Sequence, residues 1–174
     1  QPPTRVKIRD EILSGTLEAL TSGQADIAIG VVGDTGGTPD IQAKPLGVVP
    51  FIYAVAPHHP LAGAAEPISD DTLCQHRAIA VADSVQRGGG ITVGLLHGQD
   101  LMTVPSMTTK IHAQLRGQGG GVLPEPAVRP YVQAGRLVAK RVARPPRNIT
   151  LSYAWRTSGR TQGRALQWWL AQLQ

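Results

Sequence analysis

The chain has 174 residues, 41% hydrophobic and 4% aromatic, with a formal net charge of +5. That is enough apolar material for one domain or two small lobes, and it excludes a disordered composition. Few aromatics leave little for stacking on nucleic-acid bases, and the Lys and Arg are scattered, dense only over 140–147, so they read as a solvated basic face.

A single cysteine, Cys74, excludes a disulfide framework and a Cys-based zinc site. It reads as a small buried hydrophobe in a reducing cytoplasm. No apolar run reaches the length of a membrane span. The opening Gln1-Pro2-Pro3 falls at the approach to a strand, so the chain is read as a truncated piece of a longer protein.

Val6 and Ile8 alternate with Lys7 and Arg9, the period of a half-exposed strand. Residues 10–15 read as a turn. Ser14, Gly15 and Thr16 then precede a short helix carrying Leu17, Ala19 and Leu20, which Gly23 ends. Residues 25–32 are expected to form a buried strand. The glycine-rich stretch 33–39 lacks the Walker spacing and its lysine, so it reads as a surface loop. Residues 51–56 form a strand with apolar residues on both faces. His58 and His59 are adjacent, tend to point apart and have no third ligand nearby; they read as turn histidines. A helix begins at Ser69 or Asp70. Residues 78–82 are an apolar strand, with Asp83, Ser84, Val85 and Gln86 at its carboxyl end. Residues 101–104 form another strand.

The stretch 107–124 organises the rest. Met107, Ile111 and Leu115 recur at i, i+4, i+8, one apolar stripe on a helix. Ser106, Thr108 and Thr109 crowd its start, where hydroxyls cap free N–H groups. Gly117 and Gly119 to Gly121 suit a helix stop and a tight turn before Val122, Leu123 and Pro124. The start of such a helix can hold a small anion; the plain alternative is a capped core helix that binds nothing. Residues 126–135 read as irregular or a short helix, 137–142 as a strand, 144–147 as a loop. Ile149, Leu151, Tyr153 and Trp155 alternate on one strand face. Leu166, Trp169, Leu170 and Leu173 mark an amphipathic terminal helix capped by Thr161.

The order strand, hydroxyl-rich turn, helix, glycine, buried strand occurs over 6–32 and again over 101–123. Two such units suggest two α/β lobes, with ligands expected beyond strand carboxyl ends. The chain carries no G-x-S-x-G elbow, no H-E-x-x-H, no Walker loop and no complete G-x-G-x-x-G, so it is not expected to be an enzyme.

Four segments, in order, resemble the effector-binding domain of LysR-type transcriptional regulators. They are LTSGQADIAIG (20–30), VAPHHPLA (55–62), QLRGQGGGVLP (114–124) and AGRLV (134–138); the closing strand and helix also fit. The resemblance covers essentially the whole chain. It implies a fold like the type II periplasmic binding proteins, two α/β lobes joined by two crossover strands with a small effector in the cleft. Lobe I would be residues 1–50 plus 157–174, truncated at its N-terminus, and lobe II residues 51–156. The crossings would fall near 51–55 and 153–156. The DNA-binding winged helix-turn-helix of the family is absent from this chain.

By the same resemblance the effector pocket draws on three turns: Leu13, Ser14 and Thr16; Asp83, Ser84 and Val85; and Pro105, Ser106, Thr108 and Thr109 with His112. Arg87 or Arg116 could add a counter-charge. Hydroxyls and N–H groups suit an anionic metabolite. No cofactor, metal or membrane is expected. The partners implied are the effector, DNA through the missing domain, and further copies in a homodimer or homotetramer in the cytoplasm. The alternative is an extracytoplasmic solute-binding protein of the same fold.

Overall fold

The computed structural model describes residues 4–32, 37–84, 95–157 and 163–173. The chain divides into two compact units. Unit 1 comprises Gln1–Gly47, Ser84–Gly89 and Thr150–Gln174, and unit 2 Val48–Asp83 and Gly90–Ile149. Two strands, β2 (Ile41–Val55) and β7 (Arg147–Arg156), each begin in one unit and end in the other.

In unit 1, helix α1 (Ser14–Thr21) follows a tight turn in which Gly15 N–H donates to the Ile12 carbonyl at 3.0 Å. Gly23, at φ 74, lets the chain leave α1 in the left-handed region. Leu20 is fully buried against Ala28, Val31 and Ala154. Strand β1 (Ile27–Val32) pairs antiparallel with β7, Ile27 opposite Trp155 and Val32 opposite Leu151. The register shifts between Ile29 and Val31, where Gly30 has φ 82. Asp40 and Thr157 close the other edge, the Thr157 N–H donating to the Asp40 carbonyl at 2.8 Å.

Three expectations for unit 1 need correction. Residues 6–9 form no strand; they carry no regular structure, and Ile8 is 85% exposed. Alternation is a necessary pattern for a half-buried strand but supplies no partner for the ladder. Strand β1 is one-faced rather than buried, with Ile29 and Val32 exposed. The terminal helix α5 (Arg164–Gln172) starts from Gly163 with no side-chain cap, and none of its residues is fully buried. Thr161, the expected cap, lies outside the described residues.

In unit 2, β2 is flanked by β5 (Gly121–Pro124) and β6 (Val138–Lys140), both antiparallel to it. Ala54, Val55 and Ala56 are fully buried, so this end of β2 is apolar on both faces. Strands β3 (Ala78–Val81) and β4 (Leu101–Val104) run parallel, Ala78 opposite Leu101 and Val81 opposite Val104. Helix α3 (Met107–Leu115) connects β4 to the glycine run, which returns beside β3: Ile79 N–H donates to the Gly120 carbonyl at 2.9 Å and Gly120 N–H to the Arg77 carbonyl at 3.0 Å. Residues 125–133 form a helix, α4 (Glu125–Gln133), with Pro124 at its N-cap, Pro126 in its first turn, Pro130 inside it and a Glu125–Arg129 ion pair one turn apart. Its Val128 joins Ala54, Leu123 and Leu137 in one core cluster. Helix α2 (Asp70–Cys74) is capped by Ser69, whose hydroxyl accepts from Thr72 N–H. Cys74 is half-buried rather than buried.

Candidate functional site

The third expected turn is the start of α3. Ser106 is its N-cap in extended conformation; its hydroxyl accepts from Thr109 N–H at 3.1 Å and shares a proton with the Thr109 hydroxyl at 2.9 Å. The first two helical N–H groups, of Met107 and Thr108, lie outside the intrahelical ladder. Thr108 and Pro105 are exposed and Thr109 is half-buried. Strands β3 and β4 end side by side, since Ala82 N–H donates to the Val104 carbonyl at 2.9 Å. Asp83 and Pro105 therefore leave the parallel pair at one edge, the carboxyl edge where α/β sheets present ligand-binding loops. His112 is exposed in the last turn of α3. Arg116 is the C-cap of the same helix. A nine-residue helix is about 13 Å long, so Arg116 cannot add a counter-charge at the Ser106 end. Arg87 and Val85 lie outside the described residues.

The first and second turns meet inside unit 1 through Ser84. Its hydroxyl accepts from Ile12 N–H at 2.6 Å and donates to Glu11 Oε2 at 2.7 Å. A Cβ on Gly15 would meet the Ser84 Oγ, so only glycine permits this approach. Leu13 adopts φ 49, ψ −118, the conformation of the first central residue of a type II′ turn, which glycine normally fills. Ser14 and Thr16 occupy the first turn of α1, half-buried, and no side chain caps the helix. Leu13, Ser14, Thr16 and Ser84 thus gather in unit 1. Asp83, Pro105, Ser106, Thr108, Thr109 and His112 belong to unit 2.

Unit 2 also holds a polar cluster that the sequence reading missed. The stripe Met107, Ile111, Leu115 is half-buried; the deepest face of α3 is Lys110, Ala113 and Gln114, at 6%, 4% and 0% exposure. Neither polar atom of the Gln114 amide has a hydrogen-bond partner, nor does the Tyr53 hydroxyl. Among the described residues no carboxylate pairs with Lys110. These groups converge on the glycine strand. A Cβ at Gly121 would stand 2.8 Å from Gln114 Nε2 and 3.2 Å from Lys110 Cε, and one at Gly120 would meet the Tyr53 hydroxyl. Lys110 and Tyr53 line an open cavity of about 630 Å³ whose walls include Ile52, Ile79, Leu96 and Val122.

Burial, with the Arg147 charge adding to it, pushes the Lys110 ammonium down to about 8. Burial pushes the Tyr53 phenol up to about 12. Elsewhere on the cavity wall Glu66 pairs with Arg141 and Lys140, and Arg144 with Asp70. Hydrogen bonds from Arg141, and then Lys140, hold the Glu66 carboxyl below its usual range. The signals available in sequence were the i, i+4 spacing of Lys110 and Gln114 and the glycine run facing them. His59, buried, caps a short 3-10 helix through Nδ1, which accepts from Leu61 N–H. Burial, and then His76 and His58, lowers its proton affinity. Among the described residues no group of His, Cys, Asp and Glu could hold a metal ion. Nor is any described helix long and apolar enough to cross a membrane.

A sequence model of the LysR substrate binding domain matches residues 1–174. The chain belongs to this family. It is 34% identical over 166 residues to the uncharacterized HTH-type transcriptional regulator YeeY of Escherichia coli K12, covering 95% of this chain and 53% of that protein. The chain spans about half the length of the curated relatives it matches. The full-length LysR-type regulator LysG of Corynebacterium glutamicum, solved with bound effector Arg, superposes with TM-score 0.66 at 19% identity, over 95% of this chain and 55% of that one. The CcmR regulatory domain of Synechocystis PCC6803, in complex with 2-PG, gives 0.64 at 18% identity, over 90% and 76%. This LysR domain has the type II periplasmic-binding-protein-like α/β fold that the resemblance implied.

Proposed function

We propose that this LysR domain is the effector-sensing part of a DNA-binding transcription regulator. It binds a small anionic metabolite between its two units and passes the change to a helix-turn-helix elsewhere in the longer protein. The observation that carries the reading is the family match along the whole chain, together with relatives named as HTH-type transcriptional regulators. Solved neighbours of the same fold hold small molecules, Arg as a bound effector in one and shikimate and 2-PG in two others, which supports a small-molecule role. The start of α3 offers the exposed Thr108 hydroxyl and the Met107 and Thr108 N–H groups, chemistry suited to a carboxylate or phosphate. Signalling requires that the effector bind two arrangements of the protein with unequal affinity. The solute-binding alternative draws no support from the relatives' names. The same reading places the protein in the cytoplasm as an oligomer, without catalytic activity.

The test is a thermal-shift screen of small metabolites against this chain, followed by titration of the longer regulator on its promoter DNA. The expected result is stabilisation by an anionic metabolite that also changes DNA affinity. Replacing Thr108 and Thr109 together with Val should weaken that binding. A metabolite that stabilises the domain yet leaves DNA affinity unchanged would sink the sensing role.

A further inference from the structure

We propose that Lys110 is a covalent capture point in unit 2: its amine condenses reversibly, within the cavity it lines, with a small aldehyde whose carboxylate Arg147 holds. The proposal uses neither the helix-start residues nor the sensing reading.

The cavity lies wholly within unit 2, and Lys110, Arg147, Ile79, Leu96 and Val122 are among its walls. The stem of Lys110 lies against the glycine strand, where a Cβ on Gly121 would stand 3.2 Å from its Cε. The residue is 6% exposed, so the outlet for its amine is the cavity. Among the described residues no hydrogen bond or ion pair engages the side chain of Lys110 or of Arg147. The other basic groups on the wall are taken, Lys140 and Arg141 by Glu66 and Arg144 by Asp70.

An amine attacks a carbonyl only in its neutral form, and desolvation favours that form. Lys110 stands at about 8, so roughly a tenth of it is neutral at neutral pH. The other lysines differ. Lys7 and Lys44 are exposed, and Lys140 donates to the Ala62 and Ala64 carbonyls. Arg147 is close enough for its charge to act on Lys110. A guanidinium offers a carboxylate two parallel N–H donors, which selects an aldehyde that carries one.

The step needs no further reagent. The lone pair of neutral Nζ bonds to the aldehyde carbon, and the carbonyl π pair moves to oxygen. Oxygen takes up a proton, nitrogen gives one up, and the carbinolamine loses water to leave a C=N bond. Nothing is oxidised or reduced, and water reverses the reaction.

The experiment treats this chain at neutral pH with glyoxylate or with neutral acetaldehyde. Cyanoborohydride is added to reduce any imine to a stable secondary amine, and peptide mass mapping reads the rate at each lysine. Glyoxylate should carboxymethylate Lys110 about tenfold or more faster than Lys7 or Lys44, and denaturing the chain should erase the difference. Arg147→Gln should slow glyoxylate at Lys110 by about tenfold relative to acetaldehyde. Without reductant, dialysis should return the unmodified mass. Labelling of Lys110 no faster than of Lys7 and Lys44, or equally fast in the folded and denatured chain, overturns the capture. An equal effect of Arg147→Gln on both aldehydes overturns the part given to Arg147, and an adduct that survives dialysis overturns a reversible imine.

Discussion

Helices α1 and α3 occupy the same place in the repeated strand–turn–helix order, yet they are secured in different ways. The start of α3 is self-sufficient: Ser106 caps Thr109 from three residues away. The start of α1 has no side-chain cap and depends on Ser84, which reaches the Ile12 N–H from 72 residues away in sequence. Their buried faces are reversed in character. Helix α1 rests on Ala19 and fully buried Leu20, whereas α3 rests on Lys110, Ala113 and Gln114. A local cap frees α3 from tertiary help at its start, and its interior face carries groups that oppose burial. The difference shows that similar local sequence order says little about which helix is optimised for packing and which for polar chemistry.

The largest expected contrast comes from the apolar face of α1. Leu20→Ala should cost about 2–5 kcal/mol, the range for a fully buried leucine. Chemical denaturation would read it, and a loss near zero would mean that unit 1 has no real core. The reverse holds for α3: its buried lysine should make stability depend on pH. Lys110 stands at about 8 in the folded chain against an ordinary 10.5. Between those values the unfolded chain binds the extra proton, so stability should rise with pH, by about 3 kcal/mol in all. Tyr53, raised from 10.0 to about 12, works the other way, and stability should fall as pH passes from 10 to 12. Denaturation midpoints of the parent should therefore climb between pH 8 and 10, relative to those of Lys110→Met. Parallel curves would mean that Lys110 is solvated or paired in solution.

The two helix starts should separate by a smaller margin. Ser84→Ala leaves the Ile12 N–H without its acceptor and should cost about 1–3 kcal/mol. Ser106→Ala removes one cap and should cost about 1 kcal/mol. Denaturant titration of both variants tests the order. If Ser106→Ala proves the costlier, the long-range Ser84 contact is not what secures α1.

Much of the fold was legible in the sequence because it rests on short-range physics. Ser106 before the Met107, Ile111, Leu115 stripe and Gly117 after it place α3 by capping and periodicity alone. The family's ordered segments carried the fold class. The same local logic located Ser106 and Thr109 at the helix start, where their hydroxyls bond to each other. It failed at Val6 to Arg9, where alternation met no pairing strand.

The sequence by itself determined what depends on neighbours a few residues away: the helix starts, the strand-forming runs, the glycine stops and the resemblance that names the family. Tertiary structure alone decided which face of α3 is buried, that Ser84 holds the Leu13 turn, and that Tyr53, Lys110 and Gln114 meet at Gly120 and Gly121. Those residues are 57 and 4 positions apart along the chain, counting 53 to 110 and 110 to 114. Their burial depends on how β2, α3 and the glycine strand pack, and no spacing rule encodes the loss of water that gives a lysine and an amide their chemistry.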